Sequence, residues 1–285
     1  MRERPTRLVL LGHPVGHSLS PIFQNAALKS AGLAATYDAL DVLPAAIPSV
    51  LRELARAGVA GNVTIPHKEV IAAACVVTTE LAARVGAVNT FWHEKGKLIG
   101  DNTDVDGARV ALSTVLSGHA SPLRVAVLGA GGAAAAVLVA LESFEPESVV
   151  VHTRTPARAD ALALRLNAAF RVATSAEEAV RDATLVINCT PVGLQGDAMP
   201  VAVDALRTEA RVLDLIPLRG ETPWVRAARA AGHEAEDGMR MLVEQGAAAF
   251  ERWFDMVPDR AAMSRSLGMR LESAAVRTKT EHHSG

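Results

Sequence analysis

Arg124-Val125-Ala126-Val127-Leu128-Gly129-Ala130-Gly131-Gly132-Ala133-Ala134 decides the fold. A short apolar run reads as a buried strand, a glycine-rich turn follows, and the turn opens an alanine-rich helix that continues to Glu142. Strand, glycines and helix in that order form the fingerprint of a dinucleotide site. Glycines let the backbone approach a pyrophosphate, and the free N–H groups at the helix start meet it in a positive field. Gly129, Ala130, Gly131, Gly132 and Ala133 are the expected contacts.

Towards the C-terminus the pattern is regular strand–helix alternation. The next strand, Ser148 to His152, ends in Thr153-Arg154-Thr155-Pro156-Ala157-Arg158. A site for NAD would place Asp or Glu here to hold the ribose hydroxyls. Instead Thr153, Arg154 and Arg158 offer a hydroxyl and two guanidiniums, which suit a phosphate. The expectation is NADP rather than NAD. The alternative is a pair of solvated arginines at a helix start, although arginine there opposes the helix dipole. Further strands are expected at 170–173, 184–188, 210–215 and 233–236. Those ending at Cys189-Thr190 and at Leu215-Ile216-Pro217 would face the cofactor from the carboxyl edge of the sheet.

Towards the N-terminus, the small polar segment 117–122 reads as a domain boundary. Before it, strands are expected at 8–12, 36–42 and 59–63, and a hairpin pairs Val88–His93 with Lys97–Gly100 around Glu94-Lys95-Gly96. Polar residues gather at the ends of these runs. Ser20-Pro21 reads as an N-cap and first-turn pair, with Ser18 free to face the same side; alternatively Ser20 only caps and Ser18 has no role. In Asn62-Val63-Thr64-Ile65-Pro66-His67-Lys68, Pro66 can open a helix whose first turn holds Lys68. A cation is disfavoured there by the dipole, so the position suggests a task; a solvated lysine is the plainer reading. Asp104, in Gly100-Asp101-Asn102-Thr103-Asp104, could equally be an N-cap. Thr64, Lys68, Asn89, Asn102 and Asp104 all fall at element ends, where α/β proteins place their sites. Gln245 lies in an amphipathic helix, 239–254, either partly exposed or reaching a ligand.

Composition limits the alternatives. The 285 residues suffice for two domains, and 49% hydrophobic with 21% charged residues is ordinary for a globular protein. A net charge of −2 offers no general attraction to nucleic acid or an anionic membrane. Cys75 and Cys189 make neither a disulfide framework nor a metal spacing and read as buried bystanders; no metal is expected. No apolar stretch approaches the roughly 20 residues of a membrane span, and residues 1–6 lack a signal-peptide core. The expected setting is cytoplasmic, and the expected partner is a small-molecule substrate. Residues 277–285 read as a polar, frayed end.

Taken together, Gly12 to Pro21, Asn62 to Lys68, Ala87 to Thr90, Gly100 to Asp104, Gly129 to Ala133, Thr153 to Arg158 and Asp237 to Gln245 resemble the shikimate dehydrogenase family, in order and over nearly the whole chain. The resemblance implies an α/β fold: an N-terminal α/β substrate domain (1–107), a Rossmann-type NADP-binding domain (108–238), and C-terminal helices (239–285) returning to the substrate domain. It implies reversible reduction of 3-dehydroshikimate to shikimate with NADPH in aromatic biosynthesis, by a monomer or homodimer. By matching position, Lys68 and Asp104 would be the catalytic pair. Ser18, Ser20, Thr64, Asn89 and Gln245 would bind substrate. Thr155, Thr190, Leu215, Gly238 and Glu80 would join the cofactor contacts named above. Three positions depart from the family pattern: Pro217 stands for a tyrosine, and Val105 and Arg240 stand for glycines. They leave open quinate, aminoshikimate or a related polyhydroxy-carboxylate ring as substrate. A non-catalytic ligand sensor on the same scaffold would have no reason to keep both Lys68 and Asp104.

Overall fold

The computed structural model describes residues 4–119 and 122–269. Residues 277–285 and the centre of segment 117–122 lie outside them. Two six-stranded sheets organise the chain. The first contains β1 (Arg7–Gly12), β2 (Thr36–Asp41), β3 (Ala60–Val63), β4 (Val77–Thr78), β5 (Thr90–Glu94) and β6 (Lys97–Asp101), in the order β2-β1-β3-β5-β6-β4. Its helices are α1 (Ser20–Ser30), α2 (Ile47–Arg56), α3 (Lys68–Ala74) and α4 (Glu80–Val85). The β5–β6 hairpin turns on Lys95 and Gly96, both at positive φ (50° and 73°), as a two-residue turn of type I′ requires.

β1 is buried along almost its whole length, and its alternate side chains feed two cores. Leu8 and Leu10 pack with Phe23, Phe250 and Trp253, whereas Val9 and Leu11 pack with Ile47, Leu54 and Ile71. A single helix, α5 (Asp104–Val115), leads to the second sheet. There β7 (Arg124–Leu128), β8 (Ser148–His152), β9 (Arg171–Ala173), β10 (Leu185–Asn188), β11 (Arg211–Asp214) and β12 (Ala235–Glu236) pair in parallel in the order β12-β11-β10-β7-β8-β9. This doubly wound order reverses between β7 and β10, and such a switch point is where ligands bind. The connecting helices are α6 (Gly132–Leu141), α7 (Pro156–Leu166), α8 (Ala176–Val180) and α9 (Pro223–Ala230). The chain then returns through α10 (Met239–Phe254) and α11 (Arg260–Ser266), which pack on the first sheet. Among the described residues no helix is long and apolar enough to cross a membrane.

Several local expectations are corrected. Ser20 does not cap α1: it is the first helical residue, and the Ser18 hydroxyl instead accepts the Ser20 N–H at 3.2 Å. Pro66 does not open α3, which starts two residues later, after His67. A 3-10 turn, Pro44–Ala46, leads directly into α2. The two-residue strand β4 carries too short a pattern to be seen in sequence. Both cysteines are free and only partly buried; burial pushes the Cys75 thiol up to about 11, so it is not a reactive thiolate.

Candidate active site

Strand direction assembles the site. β1, β3 and β6 run one way and β5 the other, so one edge of the first sheet gathers three carboxyl ends and one amino end. The serine loop leaves β1 there, Thr64 to Lys68 leave β3, Asn89 enters β5, and Asp101 to Asp104 leave β6. The turn before Lys68 is fixed by backbone bonds from Thr64 N to Leu11 O (2.8 Å) and from His67 N to Thr64 O (3.0 Å). Buried His67 adds a ring contact to Val42 O at 2.6 Å.

At this edge Lys68 Nζ donates to Asp104 Oδ2 at 2.5 Å. The two side chains are 21% and 10% exposed, so the pair is largely shielded yet reachable. Asn89 Nδ2 donates to Asp104 Oδ1 (2.8 Å) and to Gln245 Oε1 (3.2 Å), while Gln245 Nε2 donates to Leu242 O (2.9 Å). Asp104 is not an N-cap; it begins α5 and turns its carboxylate to Lys68 and Asn89. Asn102 does the local capping: its Oδ1 accepts the Asp104 N–H (3.1 Å) and its Nδ2 reaches Ala87 O (2.8 Å). Gln245 reaches this cluster because Gly107 lets α5 and α10 touch. A Cβ on Gly107 would lie 2.6 Å from Met241 O and 3.0 Å from Gln245 Cβ.

Lys68, Asp104, Asn89 and Gln245 thus form one hydrogen-bonded group. Ser18, Ser20 and Thr64 are not bonded to it. They stand on the neighbouring loops of the same edge, and the Thr64 methyl faces Gly12. No hydrogen bond to the Ser20 or Thr64 hydroxyl occurs among the described residues.

Sequence reading missed two supports. Asp101 accepts from Thr79 Oγ1 (2.5 Å), Asn102 N (2.8 Å) and Arg252 Nε (2.8 Å), tying the β6 end to α10. Asn62, Thr90 and Thr103 form a buried polar layer beneath Asn89. The asparagine and threonine pairs in the sequence were a signal, but strand register was needed to join them.

In the second sheet, the glycine turn sits at the β7–β10 switch point. Gly129 has φ +116° and lies against the Cys189 backbone, 3.1 Å from where a Cβ would be. Its N–H donates to His152 O at 2.7 Å. A Cβ at Gly131 would meet nothing within 4 Å, so the approach to the start of α6 is open. Ala130, Gly132 and Ala133 flank it, half-exposed, and a Cβ on Gly132 would be 3.9 Å from Ala87 Cβ, so the glycine turn adjoins the first sheet's segment. Arg154, Thr155 and Arg158 are exposed, Thr153 is half-buried, and among the described residues no ion pair engages either arginine. Open backbone, free guanidiniums and no carboxylate at the end of β8 fit a dinucleotide carrying a ribose phosphate. Thr190 is oriented by Asn188 Oδ1, which accepts from its N–H (2.9 Å) and hydroxyl (2.6 Å). Gly238 packs on Leu215, 2.3 Å from Leu215 O to a would-be Cβ. Glu80 is exposed at the head of α4, and no hydrogen bond among the described residues ties it to the glycine turn.

Comparison with known proteins gives the same two-part picture. Residues 10–91 match the shikimate dehydrogenase substrate binding domain, 111–193 the shikimate / quinate 5-dehydrogenase domain, and 238–267 the shikimate 5'-dehydrogenase C-terminal domain. A shikimate dehydrogenase (NADP(+)) of Methylocella silvestris is 40% identical over 263 residues, covering 90% of this chain and 94% of its own. The chain belongs to the shikimate dehydrogenase family. Among solved members, shikimate 5-dehydrogenase from Thermus thermophilus, in complex with NADP(H) and shikimate, is 39% identical with a TM-score of 0.81, covering 92% of this chain and 98% of that one. Quinate dehydrogenase from Corynebacterium glutamicum, in complex with NAD, is 28% identical with a TM-score of 0.83, covering 93% and 99%. Against the shikimate dehydrogenase pattern, Val105 is fully buried in the core between α5 and α6, so its side chain serves packing. Arg240 is drawn to Glu236 at 3.5 Å, and burial holds the Glu236 carboxyl above its usual range.

Proposed function

We propose that this chain is an NADP-dependent dehydrogenase that interconverts 3-dehydroshikimate and shikimate in aromatic biosynthesis. It would work in the cytoplasm as a monomer or homodimer. The described residues of 1–107 and 239–285 would form the substrate body and those of 108–238 the nucleotide body. The observation that carries this reading is the Lys68–Asp104 pair at 2.5 Å, largely shielded yet reachable and backed by Asn89 and Gln245.

Gly129 to Ala133 and Thr190 would hold the pyrophosphate side of NADP, Thr153, Arg154, Thr155 and Arg158 the ribose phosphate, and Leu215, Gly238 and Glu80 the remainder. When bound, NADPH supplies the hydride that adds to the ketone carbon. The ketone oxygen gains negative charge as this happens, and an ammonium beside it stabilises that charge and delivers a proton. Lys68 Nζ would do both. Asp104 Oδ2 holds the amine in place, and the Asn89 amide on Oδ1 stops the carboxylate from rotating. Asn89 and Gln245 would orient the ring hydroxyls, and Ser18, Ser20 and Thr64 the ring carboxylate. In the oxidation direction the proton returns to Nζ.

Spectrophotometric assay of NADPH formation with shikimate tests the reading, with quinate and NAD as parallel arms. Turnover with shikimate and NADP is the expected result. Turnover only with quinate or only with NAD would replace the substrate or cofactor, and none with any pair would reject the reading.

A further inference from the structure

We propose that Tyr37, on β2 and outside every role assigned above, is a positioning residue for the Lys68–Asp104 pair, acting through Asn62, Thr90, Thr103 and Asn89. This deepens the functional reading and rests on it.

Tyr37 is the only tyrosine in the chain and is 1% exposed. Its ring lies 6.2 Å from that of Trp253 on α10, the helix that carries Gln245. Its backbone is clamped by Asn25, which accepts from Tyr37 N (3.0 Å) and donates to Tyr37 O (2.8 Å). Burial pushes the phenol up, so the hydroxyl keeps its proton and donates to Asn62 Oδ1 at 2.8 Å.

Two backbone groups fix the orientation of both asparagine amides. Asn89 O can only accept, and it lies 3.1 Å from Asn62 Nδ2. Asn62 must therefore present its amide oxygen to Tyr37. Thr103 N–H can only donate, and it lies 2.7 Å from Asn89 Oδ1. Asn89 must therefore present its NH2 group to Asp104. Between these points Asn62 Nδ2 donates to Thr90 Oγ1 (2.9 Å), and Thr103 Oγ1 donates to Asn89 Oδ1 (3.2 Å). The Thr90 and Thr103 hydroxyls lie 3.1 Å apart, and when Thr103 gives its proton to Asn89 it is Thr90 that donates between them. With Thr103 donating to Asn89, the protons along this path run from Tyr37 towards Asp104, and Asn89 Nδ2 also donates to Thr103 Oγ1 at 3.1 Å. Hydrogen bonds aligned in this way in a low-dielectric interior polarise one another. Loss of the phenol hydroxyl leaves the Asn62 oxygen buried without a donor. Asn62 cannot repair this by rotating, because its oxygen would then oppose the Asn89 carbonyl.

The test is a double-mutant cycle on shikimate oxidation, with fluorine NMR beside it. Tyr37→Phe is expected to lower kcat/KM about tenfold, the size that one unsatisfied buried acceptor implies. In an Asn89→Ala background the same change is expected to cost less than about twofold, because the chain is already cut. A merely structural tyrosine would lower both backgrounds by the same factor, and that result overturns the proposal. The single tyrosine labelled as 3-fluorotyrosine gives one fluorine resonance, and in ligand-free protein Lys68→Ala is expected to move it. An unmoved resonance overturns the proposal even where Tyr37→Phe does not fold. Absence of shikimate turnover in the unaltered protein would instead reject the functional reading, and the ligand-free resonance keeps the two failures apart.

Discussion

Replacing Arg154 by alanine should separate the two nicotinamide cofactors. Arg154 and Arg158 are exposed, and among the described residues neither is engaged in an ion pair. Removing either guanidinium therefore breaks nothing in the fold, and the melting temperature should stay within about 1 °C, as for surface changes away from special features. A charged hydrogen bond to the ribose phosphate contributes about 1.5–3 kcal/mol. At tenfold per 1.4 kcal/mol, the loss in NADP affinity is about 10- to 150-fold. Solvent exposure puts the effect at the lower end at physiological salt, where charges are screened beyond about 8 Å. NAD has no phosphate at that position, so its kcat/KM should be unchanged. The assay is kcat/KM for both cofactors with saturating shikimate, at low and high salt. NADP should suffer less from the substitution at high salt, because screening has already weakened the contact. Equal losses for NADP and NAD, or an unchanged ratio in the Arg154→Ala/Arg158→Ala double variant, would refute the argument.

Lys68→Ala should lower turnover at least about a hundredfold, the lower range for general acid–base catalysis; near-normal kcat would remove Lys68 from the mechanism. Gly107→Val should force α5 and α10 apart, because even a Cβ would stand 2.6 Å from Met241 O. A cost of about 1–3 kcal/mol in urea unfolding is expected from such overpacking, with a raised KM for shikimate as Gln245 moves away. Asp214 is pushed above its usual range by burial, against hydrogen bonds from Thr222, Asn188 and Ile216 N. A raised folded value means that the native state holds the proton longer than the unfolded chain. Its contribution is complete below the ordinary carboxylate value and is lost as pH rises through the raised one. Melting temperature should therefore fall less between pH 4 and 7 in Asp214→Asn than in the unaltered protein, and parallel curves would contradict the assignment.

Much of this architecture was legible in the sequence because its signals are local. The glycine turn after β7, the hairpin at Lys95-Gly96 and the run of parallel strands each follow from a few adjacent residues. Lys68 and Asp104 stood out as polar groups at element ends, although their contact across 36 positions is not a local property. What escaped reading depends on register and close approach. Ser20 has the chemistry of a cap, but Leu19 enters the helical region first and Ser18 takes the Ser20 N–H. Gly107 has a role only because α10 lies against it, which no adjacent residue encodes. The layer under Asn89 exists only because Asn62 pairs with Thr90 and Thr90 with Asp101 across three strands.

The late arrival of α10 has a consequence for synthesis. Its residues Val243, Phe250 and Trp253 cover Leu8, Leu10 and Phe23, which are made more than two hundred positions earlier. A nascent chain still short of Met239 carries that oily face uncovered, in the form that invites chaperones or clumping. It also lacks Gln245, so the hydrogen-bonded group around Asp104 and the cover over the core are both completed by the same closing segment.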